Sequence, residues 1–471
     1  MEKTEQQSGR PEEKRSICKS RTSNRAATPE TSLVNILVVV TACLGGFVYG
    51  FAANTLSGSL SQPTFITKFL TTPDQASLQD GMLGGFLGGA LLGALAQAPL
   101  SNKFGRRVAN AAGGIILTVS GAIQAGSVNA GMFIAGRVIC GVGSGMIFAN
   151  TPVYMSEVSP PHTRGLLVGL HGVGVVTAYI LAAVCALAFS FVENAIQWRL
   201  IFIVLTAIKA ERVLEYLHRT KRDPRATFAH AEAQQIKAQV EIERNSPSGF
   251  IYIFRTPSHR KRAFCSILLW VMGQATGITT IGNLIPTLLG ALGFGTTMQL
   301  GLGVVWAVCA VIGCGFNVLL LDRVGRVRLL VVGGFGCAAI IGMMAALQKC
   351  YANTTFMPGI NAACTAYVYG SEIWPTHLRS EGATIVYASF FANAVAYAAP
   401  VSVALESIGW KFFMVFVAVP TVVTAFIALY FPETMGLSLE EINSKFGDRV
   451  EMDLQDALGI NTGSSSEPSS V

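Results

Sequence analysis

Apolar residues in this chain come in long unbroken runs, and polar residues collect between them. Neither the two-residue alternation of a half-buried strand nor the stripe of a soluble amphipathic helix fits that pattern. A helix needs about 20 mostly apolar residues to cross a bilayer. Runs of that kind cover Leu33–Leu56, Gly81–Leu100, Val108–Ser127, Met132–Val153 and Leu166–Val192, with a short sixth at Trp198–Ile208. After a polar stretch the pattern resumes at Ala263–Leu288, Met298–Leu321, Leu329–Leu347, Thr355–Tyr369, Gly382–Ala404 and Phe412–Phe431. The pattern predicts an all-α membrane protein with twelve transmembrane helices in two six-helix bundles, helices 6 and 10 being shortened. The expected organisation is a disordered tail over 1–32, a first bundle over 33–208, a central loop over 209–262, a second bundle over 263–431 and a tail over 432–471.

Composition agrees. Of 471 residues, 51% are hydrophobic and only 13% charged, against about 25% charged in a soluble domain. Such figures exclude an intrinsically disordered chain. The formal net charge of +7 resides in the segments between apolar runs, which fits anchoring beside a membrane and not a nucleic-acid patch. Most of the ten cysteines, Cys43, Cys140, Cys185, Cys265, Cys309, Cys314 and Cys337 among them, fall inside apolar runs and read as small core residues. No cysteine or histidine cluster has metal-ligand spacing, so no metal and no cofactor is expected. The first 32 residues have no apolar stretch of the kind a cleavable signal carries.

Basic residues set the expected orientation. Lys103, Arg106 and Arg107 follow span 2, Arg164 follows span 4, Arg323, Arg326 and Arg328 follow span 8, and Arg379 follows span 10. The opposite loops hold only Lys68, Arg199, Lys349 and Lys411. By the positive-inside rule both termini are cytoplasmic, in a multi-pass protein expected at the plasma membrane. Span 6 strains this scheme: Leu200 to Ile208 gives only about 13 Å of helix, against a hydrocarbon thickness of about 30 Å. Its continuation carries Lys209, Glu211, Arg212 and Glu215, so coding sequence is expected to be missing at this point.

Two charged motifs recur in matching positions of the halves. Asn102-Lys103-Phe104-Gly105-Arg106-Arg107 after span 2 answers to Asp322-Arg323-Val324-Gly325-Arg326 after span 8. Glu157 and Arg164 after span 4 answer to Glu372 and Arg379 after span 10, with the same separation of seven residues. Topogenic charge explains one such loop; recurrence of both points to internal duplication, which marks secondary transporters. Glycine at 105 and 325 suits a tight turn between helices, and arginine can bridge a neighbouring carboxylate by paired bonds. Arg106 or Arg107 with Glu157, and Arg323 or Arg326 with Glu372, are expected to latch the cytoplasmic ends of the bundles, with Gly105, Arg164, Asp322, Gly325 and Arg379 in the same network.

On these motifs, on Tyr154–Gly165, on Gln274-Ala275-Thr276-Gly277 and on Pro432-Glu433-Thr434-Met435-Gly436-Leu437-Ser438-Leu439-Glu440-Glu441, the chain resembles the sugar porter branch of the major facilitator superfamily, and its fungal members in general style. The likeness runs from Leu33 to Phe446. It implies alternating access of a monosaccharide or polyol through a cavity between the halves, with the lipid bilayer as the other partner, no nucleic acid, and a monomer.

Neutral hydrogen-bonding side chains beside an aromatic plate suit such a solute. Span 7 offers Gln274, Thr279 and Asn283, spaced to share one helix face. The resemblance puts Gln274 on the second glutamine of the family's pair, where Gly273 replaces the first, and Tyr367 in span 10 on a family tryptophan. His171 in span 5 falls about where the family often has a substrate-binding glutamine, and reads equally as ligand, proton relay or packing residue. Asn393 in span 11 is added on polarity alone. Each of these also has a reading as interhelical glue. Proton-coupled relatives often carry an aspartate in span 1; here the stretch reads Gly50-Phe51-Ala52-Ala53-Asn54, so facilitated diffusion is expected. A proton-coupled symporter and a transport-deficient sugar sensor are the alternatives, and an enzyme is not expected.

Overall fold

Lipid gives helices no hydrophobic reason to associate, so helix pairs in a membrane are held by close backbone approach and by polar bonds. The computed structural model displays both devices. It describes residues 33–71, 74–158, 164–192, 196–207, 250–277, 279–280, 282–283, 289–290, 293–351, 369, 373–375, 378–434 and 439–447. Among these there is no strand, and eight helices are long and apolar enough to cross a membrane.

The first half contains α1 (Leu33–Leu60), a short α2 (Pro63–Phe69), α3 (Gln75–Phe104), α4 (Arg106–Ala125), α5 (Ala130–Val158), α6 (Arg164–Phe189) and α7 (Gln197–Ala207). The second contains α8 (Phe250–Arg255), α9 (Pro257–Ala275), α10 (Thr296–Val324), α11 (Arg326–Tyr351), α12 (Arg379–Ala398), α13 (Val401–Ile408), a 3₁₀ turn (Gly409–Met414), α14 (Val415–Tyr430) and α15 (Leu439–Phe446). Within the first half α3 packs on α5, α1 on α6 and α4 on α5; within the second α11 packs on α14 and α9 on α12. Two pairs join the halves: α6 with α10, and α3 with α12.

The α3–α5 seam shows how the sequence dictates the packing. Gly89 and Gly93 on α3, and Gly141 and Gly145 on α5, are each four residues apart and share one face. A methyl group added at any of them would fall on a carbonyl oxygen of the facing helix: that of Val138, Val142, Phe86 or Ala90 respectively. The two backbones therefore touch, as small residues at this spacing permit.

Both glycine turns lie on one face of the molecule. Gly105, with φ +88°, separates α3 from α4, and Gly325, with φ +102°, separates α10 from α11. The start of α6 meets the end of α10 where Val168 packs with Met155 and Leu321, while Asn102 meets Glu381 at the start of α12. The Arg106 and Arg326 turns are thus neighbours across the halves and not on opposite sides of the lipid. On the opposite face Lys68 and Arg199 both donate to the carbonyl of Ser127, at 3.2 and 3.5 Å, and both cover Trp198. Desolvation first, and the nearby Arg199 charge second, hold the Lys68 amine below its ordinary pKa.

Several expectations are modified. The seventh span begins earlier than its apolar run, at Pro257, and its helix stops at Ala275, followed by a turn with Gly277 at φ +71°. Gln274 and Thr279 therefore do not share the face of one continuous helix. Span 11 is divided by Ala399-Pro400 into α12 and α13, because proline cannot supply the next backbone donor. Cys314 is disulfide-bonded and so is not a simple packing residue, whereas Cys140, Cys265 and Cys337 are free and buried as expected. The sixth span is short here too, with α7 having 11 residues, about 16 Å of helix. The N-terminal tail, most of the central loop and nearly all of span 10 lie outside the described residues.

The segment after span 12 folds back on the second half. The Glu433 carboxylate accepts from the backbone N–H groups of Arg326 and Val327 at 2.8 and 3.0 Å, which caps the start of α11. Further on, Arg262 of α9 donates to Asn443 at 3.1 Å and stacks over Phe446.

The glycine seam gives a direct test. Gly141→Val forces α3 and α5 apart and is expected to destabilise the fold by about 3 kcal/mol, read as a lower Tm in detergent. Gly114→Ala, a position with open space around it, leaves Tm unchanged or slightly raised.

Candidate functional site

Three layers lie along the path between the halves. The first is a cleft of about 330 Å³, counted to its mouth, on the side away from the glycine turns. Asn54, Ser57 and Ala183 of the first half face Gly282, Gln299 and Trp306 of the second across it. Its polar groups are all neutral. Asn54 is held by donation to the Tyr179 carbonyl at 3.1 Å, and the Tyr179 ring stacks on Trp306 across the halves, with centroids 6.1 Å apart.

Below the cleft, toward the glycine turns, is an aromatic layer centred on Phe148 of α5. Its ring centroid is 4.0 Å from that of Tyr49, 5.1 Å from His171, 5.2 Å from Tyr387 and 5.5 Å from Phe390. Trp270 of α9 meets Phe390 edge-on at 4.7 Å. These rings come from both halves and are buried, so the layer shuts the space between α1, α5 and α6 on one side and α9 and α12 on the other.

The third layer is polar and joins α3 to α12. Asn102 donates to the Glu381 carboxylate at 2.8 Å, Arg106 reaches the Ser380 hydroxyl at 3.5 Å, and Thr384 approaches Gln97 at 3.4 Å. At the other end of α3, the Asp80 carboxylate accepts from the backbone N–H groups of Ser402 and Val403 at 3.1 and 3.4 Å. One helix of the first half is thus bonded to the second half at both ends.

The residues singled out from the sequence divide among these layers. Gln274 is buried one turn below the cleft, beside the break at Gly277, and its Nε2 has no hydrogen-bond partner among the described residues. Asn283 adjoins the cleft but turns its amide back onto the Thr279 carbonyl at 2.7 Å, so these two bond to each other. Asn393 likewise donates within its own helix, to Ser389 at 2.8 Å. His171 is fully buried in the aromatic layer, against Gly46 of α1. Tyr367 and Glu372 lie outside the described residues, as do the side chains of Arg107, Glu157, Arg164 and Asp322. Arg106 is engaged with the hydroxyl of Ser101 at 2.7 Å and with Asn102 at 3.2 Å. Arg326 and Arg379 are buried, and Arg323 is exposed.

Sequence reasoning passed over Asp80, Glu381, Asn54, Gln299 and Trp306. It also passed over Arg137, a fully buried guanidinium on α5. Arg137 donates to the Ala52 carbonyl at 3.0 Å, to Thr55 Oγ1 at 3.3 Å and to the Met82 carbonyl at 3.5 Å, and lies 4.3 Å from the Phe86 ring centroid. No carboxylate among the described residues touches it. A charged residue within an apolar run was the signal that would have found it.

Comparison with known proteins agrees with this architecture. The family model described as "Sugar (and other) transporter" matches residues 38–446. The MFS-type transporter criB of Aspergillus cristatus is 26% identical over 451 residues, covering 87% of this chain and 92% of that protein. The arabinose-proton symporter of Bacillus subtilis (strain 168) is 25% identical over 446 residues, covering 86% and 94%. Among solved structures, the proton:xylose symporter XylE bound to 6-bromo-6-deoxy-D-glucose superposes with a TM-score of 0.75 at 20% identity, covering 88% of this chain and 99% of that one. The inward-open form of XylE from E. coli gives a TM-score of 0.63 at 20% identity. With the match extending over almost the whole helical stretch, and with this fold, the chain belongs to the sugar (and other) transporter family of the major facilitator superfamily.

Proposed function

We propose that the protein carries a monosaccharide or polyol across the membrane by alternating access, without a coupled ion. The observation that supports this most is the cleft between the halves. It presents only neutral hydrogen-bonding groups beside an indole ring, and it ends on a closed aromatic layer. Hydroxyl-rich solutes suit such a surface, since each polar group can donate or accept without leaving a charge unpaired. Gln274, buried just beneath the cleft with a donor to spare, is the first choice for a solute contact. By the distribution of basic residues, the glycine-turn face is cytoplasmic, with both termini on that side, in the plasma membrane.

Passive carriage follows from the surroundings of Arg137. Its bonds go to backbone carbonyls and a hydroxyl, none of which takes up a proton at physiological pH, so this charge has no partner to lose as pH changes. The competing reading, a sensor that binds sugar without moving it, draws on the short α7.

Reconstituted protein distinguishes these. Proteoliposomes are expected to show counterflow of a labelled monosaccharide or polyol, with a rate unaffected by a protonophore. Uptake that collapses with the proton gradient overturns passivity; saturable binding with no flux selects the sensor. In the same assay Gln274→Ala is expected to raise the half-saturation concentration about tenfold, the worth of one to two hydrogen bonds to solute, while Tm stays within error of the parent.

A further inference from the structure

The polar layer on the glycine-turn face has a hub that carries no charge and belongs to no motif. Asn150, on α5, is completely buried, and all four positions of its amide are filled. Oδ1 accepts from Gln97 Nε2 at 2.8 Å and from Ser101 Oγ at 3.1 Å, both on α3. Nδ2 donates to the Arg106 carbonyl at 2.7 Å and to Asn110 Oδ1 at 2.8 Å, both on α4. The one side chain therefore fixes the two helices on either side of the Gly105 turn.

What it fixes faces the second half. The Ser101 hydroxyl that donates to Asn150 also accepts from Arg106 Nη1, at 2.7 Å, and the same Nη1 reaches Asn102 Oδ1 at 3.2 Å. With its oxygen turned to Arg106, Asn102 presents its Nδ2 to Glu381 of α12. Because Nε2 of Gln97 is spent on Asn150, its Oε1 is left for the Thr384 hydroxyl of the same helix. Only a group with two acceptor positions and two donors in one plane can serve both helices at once; an apolar side chain would strand Gln97, Asn110 and the Arg106 carbonyl in a dry interior.

We propose that Asn150 is a positioning residue for transport: it holds α3 and α4 in the register in which Asn102 and Gln97 meet α12, and so sets how firmly the glycine-turn face stays shut. This rests on the alternating-access reading, but its test needs no solute. The readout is placed at the other junction between the halves, far from the hub, where Val168 of α6 is fully buried against Leu321 of α10. A cysteine at 168 becomes reachable from the glycine-turn face only when the halves part there, and local loosening around Asn150 does not expose it.

Val168→Cys protein in open membranes is treated with an impermeant maleimide, and the background of the same chain without that change is subtracted. Asn150→Leu is expected to speed modification of Cys at 168 about fivefold or more, the effect of losing a net hydrogen bond between the halves. Ser101→Ala, which deletes only the hydroxyl between Asn150 and Arg106, moves the rate in the same direction and carries the test if Asn150→Leu does not fold. In a Glu381→Ala background, where the strongest joint is already gone, Asn150→Leu adds little, since the two act through one joint. Parental labelling rates in the folded variants overturn the proposal, and so does an equal acceleration with and without Glu381. Absence of sugar flux beside the expected labelling would instead overturn the transport reading and leave this one standing.

Discussion

The arrangement depends on how one helix is held. On one side α3 lies against α5 with the backbones in contact, through four glycines that leave no room for a side chain. On the other it touches α12 and α13 of the second half mainly through polar groups at its two ends, Asp80 and Asn102. The first contact is broad and made of many small dispersion terms, and nothing short of unfolding separates it. The second consists of a few bonds, each worth about 1 kcal/mol net, or somewhat more where a carboxylate takes part. A helix welded to its own half and merely pinned to the other can move as part of a rigid body, and the pins decide when.

The interior handles polarity in two ways. Arg137 is a full charge in a helix interior, a placement that insertion scales put at about 2.5 to 3.5 kcal/mol, and the fold offsets it with backbone carbonyls and the face of Phe86. Asn150 is neutral and saturated. A residue of the first kind resists any rearrangement that would strip its acceptors. One of the second kind is at ease in a single geometry and costly in others. Both sit in α5, the helix against which α3 and α4 pack, so the first half has a stiff spine. Between the two, the Phe148 aromatic layer fills the route with apolar rings that must turn aside before a solute passes.

Much of this was legible in the sequence. The apolar runs located the helices to within a few residues, and the glycines at 105 and 325 marked turns that indeed adopt positive φ. Spacing alone could not show that the seventh span breaks after Ala275, because Thr276 and Gly277 interrupt no apolar run; they alter the backbone, not the hydropathy. The site was harder to see. Attention to charged motifs led to arginine–glutamate latches, whereas the described joints use an asparagine, a glutamine, hydroxyls and the carboxylates of Asp80 and Glu381. Gln97, Asn110 and Asn150 were visible as polar letters inside apolar runs, but only three-dimensional proximity reveals that they converge. Trp306 and Gln299 gave no local signal, since a tryptophan and a glutamine near a helix end are ordinary in any membrane span.

The interruption at Ala399-Pro400 has a mechanical meaning. It divides the eleventh span into two rods, and each grips a different end of α3: α12 by Glu381, α13 by the first free amides of its opening turn. A continuous rod would transmit the release of one grip straight to the other, as a lever does. A jointed one lets either clasp come undone while its twin remains fastened, so a gate at each surface can work in turn without the helix that serves both ever having to let go completely.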